Sequence, residues 1–199
     1  MNRVTHMKKL KSAMRFFKTS FGLHPPYLVL CDPNFIFASL DSKINLKDRF
    51  TEIFKGQVFL KVTECGLLEV SSLKDKNMQS TVQFCKKQCQ LFKCSSHKPM
   101  NPRDCILDNL KHGFNGIVCT QDGPLRKTIQ RLYPKMPIFY IDDGLQIMPP
   151  SKKLKDSVIA ELEAKYATNT EKPEDYVEED EKKEETEEKE PETKEEKKE

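Results

Sequence analysis

Cys89, Cys94, His97 and Cys105 follow one another with four, two and seven residues between them. Three thiols and an imidazole in so short a span suit a tetrahedral Zn²⁺ in a structural site, because zinc takes borderline-soft sulfur and nitrogen donors. The segment between Cys94 and Cys105 carries Pro99, Asn101 and Pro102 and reads as a loop of little apolar content. Such a loop needs an external clamp, and zinc supplies about 10–16 kcal/mol of apparent binding energy to folding at neutral pH. A second reading stays open: Cys85 and Cys89 lie one helical turn apart and can both face a core, and for Cys85 we adopt that reading. Cys31, Cys65 and Cys119 sit in apolar contexts and read as small buried hydrophobes.

A second group of residues is acidic. Asp32 ends the apolar run Tyr27 to Cys31, and Asp122 follows the apolar run Gly116 to Thr120. Ligands of open parallel sheets bind outside the carboxyl ends of the strands. Glu69, on a helix after a further strand, can point to the same place. Three carboxylates converging there would make a hard-oxygen site for Mg²⁺ or Mn²⁺. Such an ion activates water for attack on a phosphodiester. Asp after a strand is equally a helix N-cap or a turn residue.

The elements that must carry these residues alternate. Strands are expected at Tyr27–Cys31, 57–62, 116–120 and 137–141, with a short extra one near Ile147. Helices are expected over 35–40, 46–54, 63–71, 79–92, 102–112 and 125–132. Thr63 reads as an N-cap, and Pro102 sits where proline is tolerated at a helix start. Apolar runs of this kind belong to strands buried on both faces. Strands alternating with helices predict an α/β domain with a parallel central sheet.

Charge divides the chain. The stretch from Ala167 to Glu199 holds 16 acidic and 7 basic residues, a net −9, so residues 1–166 carry +12 of the chain's +3 total. A folded region this basic attracts a polyanion, and nucleic acid is the expected partner. The expected phosphate contacts are Lys8, Lys9, Lys11 and Arg15 in the N-terminal arm, Lys93, Lys98 and Arg103 around the cysteine loop, and Arg126, Lys127 and Arg131 after the third strand. Phe92 reads first as core packing, with stacking on an unpaired base as the alternative. No apolar run approaches the roughly 20 residues that span a bilayer. The chain is therefore expected to be soluble and intracellular, with no membrane partner and no structural disulfides. Four regions result: a basic arm over 1–24, a domain over 25–150 with the zinc insertion at about 85–105, a peripheral helix over 151–166, and a charged tail over 167–199 that is expected to be disordered.

In combination these residues resemble a known family. Arg15-Phe16-Phe17 with Phe21-Gly22, Pro26-Tyr27 leading to Asp32, Thr63-x-Cys65-x-x-x-Glu69, the cysteine–histidine cluster, Thr120-Gln121-Asp122 and Pro137-x-Phe139-Tyr140-Ile141 occur in that order. The chain over residues 8–150 resembles the rRNA-processing PIN-domain proteins of the U-three-protein twenty-three type, relatives of the Fcf-one proteins. The Fcf-one branch lacks the zinc finger, so the cluster selects the twenty-three branch. The resemblance implies a PIN-like three-layer α/β/α fold with an inserted Cys-Cys-His-Cys finger and a structural zinc. It implies a nucleolar protein of the small-subunit processome. Its implied partners are pre-rRNA, an H/ACA-type small nucleolar RNA and processome proteins, and it is expected to be a monomer within a large ribonucleoprotein. Active PIN nucleases hold four acids. Asp32, Glu69 and Asp122 match three, but Pro124 stands where the fourth is expected. The resemblance therefore implies an RNA-binding assembly factor with a degenerate nuclease site; the alternative is a metal-dependent endoribonuclease acting on pre-rRNA.

Overall fold

The computed structural model describes residues 3–73, 75–94 and 99–168. Two compact units divide between Ile159 and Ala160. The first is built on a six-stranded sheet.

Its strands are β1 (Tyr27–Cys31), β2 (Val58–Thr63), β3 (Gln90–Phe92), β4 (Ile117–Cys119), β5 (Ile138–Ile141) and β6 (Leu145–Ile147), in the spatial order β3-β2-β1-β4-β5-β6. All pairs are parallel except β5 with β6. The central sheet is parallel as expected, and the short extra strand near Ile147 adds an antiparallel edge. Asp142, Asp143 and Gly144 close the hairpin, with Asp143 and Gly144 both at positive φ (51° and 111°). A connection so short can only join antiparallel strands.

The helices of the first unit are α1 (Arg3–Phe21), α2 (Pro33–Asp41), α3 (Leu46–Phe54), α4 (Glu64–Ser72), α5 (Gln79–Gln88), α6 (Pro102–Lys111) and α7 (Gly123–Leu132); a last helix, α8, is Lys152–Thr168. Side chains alternate across the sheet with the period of two that a strand imposes. Val29, Cys31, Leu60, Ile117, Cys119 and Phe139 join one cluster with Phe35, Phe50 and Phe54. Leu30, Val118 and Ile138 join the other with Ile106, Leu110, Leu125 and Ile129. Helices thus cover both faces, and the layers are α/β/α. In the first cluster Phe50 stacks on Phe54 at 5.2 Å between ring centroids, and Phe139 meets Phe50 edge-on at 5.5 Å.

Two features position the site. The strand order reverses between β1 and β4, so the carboxyl ends of these two strands form the crevice in which such sheets bind ligands. The backbone joins them there: Asp32 N donates to Cys119 O at 2.8 Å. Secondly, the helix expected over 79–92 is two elements. Helix α5 stops at Gln88, Cys89 leaves helical geometry (φ −103°, ψ 143°), and Gln90–Phe92 run as β3 beside β2. Ladder bonds offered by the free edge of β2 override the local helical pattern, as tertiary context commonly does.

Among the described residues, no helix is long and apolar enough to cross a membrane.

Candidate functional site

Cys65, Cys94 and Cys105 bring their sulfurs together. Cys94 Sγ lies 3.4 Å from Cys65 Sγ and 3.1 Å from Cys105 Sγ. Among the described residues these three form the one compact group of metal-capable side chains. The register of β2 and β3 explains the meeting. Thr63 stands opposite Phe92, so Cys65 and Cys94 each lie two residues beyond the same rung. Cys65 is fixed at the start of α4, where Thr63 Oγ1 accepts from Gly66 N at 3.1 Å. Cys105 is fixed in the first turn of α6, which Asn101 caps by accepting from Arg103 N.

The sulfurs also receive backbone and amide donors. Met100 N points to Cys65 Sγ, and Asn109 Nδ2 to Cys105 Sγ, both at 3.5 Å. Donors of this kind steady a thiolate ligand. Sulfurs bound at about 2.3 Å to one tetrahedral zinc stand roughly 3.8 Å apart, so three thiols at this spacing fit one ion. Without a metal, burial and then the neighbouring Cys94 push the Cys105 thiol up.

This arrangement differs from the ligand set read from spacing. Cys89 does not join it. As the C-cap of α5, it turns back to Cys85, whose thiol shares a hydrogen bond with it and raises it, and burial adds to the rise. Cys31, beside Cys119 in the β1–β4 register, completes this apolar thiol group. Cys65, assigned from sequence to plain burial, stands at the cluster instead. His97 and Lys98 lie outside the described residues.

Asp32 and Asp122 follow β1 and β4 at the strand-end crevice, and each caps the helix that begins there. Asp32 is 6% exposed. It caps α2 by accepting from Asn34 N at 3.4 Å, and its other oxygen accepts from Thr120 Oγ1 at 2.9 Å. Burial pushes its carboxyl above the ordinary value; the Thr120 and Asn34 donors oppose this, and the charges of Glu69 and Asp122 add to it. Both acids are therefore within electrostatic reach of Asp32. Asp122 caps α7, accepting from Leu125 N at 3.0 Å. Glu69 is exposed on α4. Pro124 occupies the first turn of α7, where a missing N–H costs nothing. Asp142 and Asp143 line a recess of about 500 Å³ with His6, Arg49 and Leu10.

The basic candidates separate by anchoring. Lys8, Lys9, Lys11 and Arg15 are exposed on α1, whose Leu10, Met14 and Phe17 are buried. Lys93, Arg103, Lys127 and Arg131 are also exposed. Lys127 and Arg131 share with Lys153 a groove of about 480 Å³ between α7 and the start of α8. Arg126 is half-buried and held by its neighbours. Phe92 packs edge-on against Phe114 at 5.5 Å, which is core packing.

The comparisons agree with this fold. The Fcf1 family model matches residues 52–150. The human rRNA-processing protein FCF1 homolog is 27% identical over 128 residues, 64% of this chain and 64% of its own. The Schizosaccharomyces pombe rRNA-processing protein utp23 is 23% identical over 158 residues, 76% of this chain and 59% of its own. The chain thus spans less than two thirds of the length of these relatives. The structure of the PIN domain endonuclease Utp24 has the same fold, with a TM-score of 0.57 at 24% identity over 63% of this chain and 93% of that one. By family match, residues 52–150 belong with the Fcf1 family; the relatives found for the chain are named rRNA-processing proteins, and its fold is that of a PIN domain.

Proposed function

We propose that this protein is an RNA-binding assembly factor of the small-subunit processome, acting in early pre-rRNA processing in the nucleolus. Its proposed partners are pre-rRNA, a small nucleolar RNA and processome proteins. One observation carries the scaffold reading. Pro124 stands where a fourth acid would complete a divalent site, and Asp32 and Asp122 each already hold a helix N-cap. The exposed cations on α1, around the cysteine loop and along α7 supply phosphate contacts, a sequence-independent source of affinity. The names of the FCF1 and utp23 relatives support the pre-rRNA assignment.

Zinc is proposed as the structural cofactor, held by Cys65, Cys94 and Cys105, with His97 as the fourth ligand on sequence spacing. When bound, zinc supplies cross-linking of the cysteine loop to α4 and α6. The protein's own part is to bring β3 beside β2, which delivers Cys94 to Cys65.

A second reading, a metal-dependent endoribonuclease, has one observation in its favour: Glu69 and Asp122 both act on Asp32 electrostatically. A single assay decides between the two. Purified protein is incubated with single-stranded RNA in Mn²⁺, and Asp32→Asn is run beside it. The scaffold reading expects binding without cleavage above the Asp32→Asn background. Cleavage that disappears in Asp32→Asn would replace it with the nuclease.

A further inference from the structure

We propose that Arg126, braced by Tyr140, is a pre-ordered receptor for a phosphate of single-stranded RNA at the carboxyl edge of the sheet, and that it needs no divalent ion. The proposal rests on the RNA-binding reading and assigns it a specific contact.

Arg126 sits one turn into α7, immediately past the strand-end crevice. Its Nη1 donates to Thr120 O at 3.1 Å and to Gln121 O at 2.9 Å. Its guanidinium carbon lies 4.4 Å from the centroid of the Tyr140 ring on β5. Two hydrogen bonds and a ring contact fix both the position and the plane of the fork. A guanidinium carries five N–H donors. Nη1 uses two, and among the described residues Nε and Nη2 make no hydrogen bond to the protein. Those remaining donors form the edge that pairs bidentately with two oxygens of one phosphate.

Access to that edge is open. Residue 123 is glycine, and a Cβ built there would lie 3.8 Å from Nη2 and near no other side chain beyond its chain neighbours. Any side chain at 123 would stand beside the fork. The adjacent Asp122 carboxylate is turned to Leu125 N. Thr120, whose carbonyl holds the fork, also gives its hydroxyl to Asp32, so the receptor and the crevice share one frame.

Other exposed cations, such as Lys8 or Lys127, can neutralise a phosphate but are not pre-aimed at one. An arginine already ordered loses less freedom on binding than a free lysine. The fork therefore contributes geometry as well as charge.

The test measures binding of a short fluorescein-labelled oligouridylate to the zinc-loaded full chain, with no Mg²⁺ or Mn²⁺ added, across a salt series. Arg126→Ala is expected to weaken binding about tenfold, as loss of a charge-assisted bidentate contact does. It should also lower the slope of log affinity against log salt by roughly 0.7. Arg126→Lys keeps the charge and hence the slope, but is expected to lose about fivefold because a point donor cannot replace the fork. Tyr140→Leu leaves Arg126 in place and removes its brace, with an expected loss of about threefold. Lys47→Ala, an exposed charge on α3, controls for net charge and is expected to change affinity less than about twofold.

If Arg126→Ala melts markedly earlier than wild type, Arg126→Lys and Tyr140→Leu carry the decision. Wild-type affinity in Arg126→Lys, or losses in Arg126→Ala no larger than in Lys47→Ala, would overturn the proposal while leaving RNA binding intact. Binding that appears only when Mg²⁺ is added would transfer the contact to the carboxylates. No wild-type binding at low salt would remove the RNA-binding reading together with this one.

Discussion

At Cys65 and Cys89 the same element has two different fates. Both are thiols near one end of a helix, but Cys65 begins α4 beside the β2–β3 rung, whereas Cys89 ends α5 and faces Cys85. Elemental analysis should therefore find about one Zn per chain in wild type and in Cys89→Ser, and a large deficit in Cys65→Ser. Retention of zinc in Cys65→Ser with loss in Cys89→Ser would return the ligand set to the one read from spacing. Asp32 offers a second test. Its folded carboxyl binds a proton more tightly than the unfolded one, chiefly through burial. A raised acid stabilises the fold below the unfolded carboxylate value, near 3.9, and that stability is lost as pH rises through the folded value. With no Mg²⁺ or Mn²⁺ added, Asp32→Asn should hence melt above wild type at neutral pH, with the gap closing as the solution is acidified toward pH 4. A gap that widens on acidification would show that the Thr120 and Asn34 donors outweigh burial.

Among the elements, β4 depends on how closely it lies to β1. Gly116 precedes it, and a Cβ there would fall 2.5 Å from Leu28 O and 2.7 Å from the Phe114 ring. One of those atoms belongs to backbone already committed to the sheet, so it cannot step aside. Gly116→Ala should cost about 1–3 kcal/mol, the usual penalty of overpacking, read as a lower denaturant midpoint at unchanged m-value. Helix α1 is held differently. Lys18 Nζ donates to Phe54 O at 2.7 Å and lies 5.0 Å from the Tyr27 ring centroid. That lysine docks the helix, and the outward Lys8, Lys11 and Arg15 remain exposed.

For the whole molecule, charge asymmetry sets the expectation. Removing residues 167–199 takes away 16 acidic and 7 basic residues and leaves a chain of net +12. A polyanion should then associate faster and more tightly, with the gain confined to low salt, because long-range attraction is screened over about 10 Å at 0.1 M ionic strength. Filter binding of the truncated and full chains across a salt series checks this. Equal affinities at low salt would mean that the acidic stretch does not act on the basic face.

Period and punctuation made most of the secondary structure legible: strands β1, β4 and β5 are unbroken apolar runs, β2 is an apolar run interrupted by Lys61, and Thr63, Asp32 and Pro102 mark helix starts through local hydrogen bonds or a fixed φ. The strand-end acids were legible for the same reason, since they follow those runs directly in the chain. Of the cysteine set, Cys94 and Cys105 were legible from their spacing, and Cys65 was not. Gln90–Phe92 has no strand period of its own, and it becomes a strand only because β2 presents a free edge. That pairing carries Cys94 to a residue 29 positions away, a contact that no spacing rule within the loop contains. The bracing of Arg126 is of the same kind, since its ring partner arrives from β5. Local chain chemistry chose the elements, and long-range packing chose which of their side chains meet.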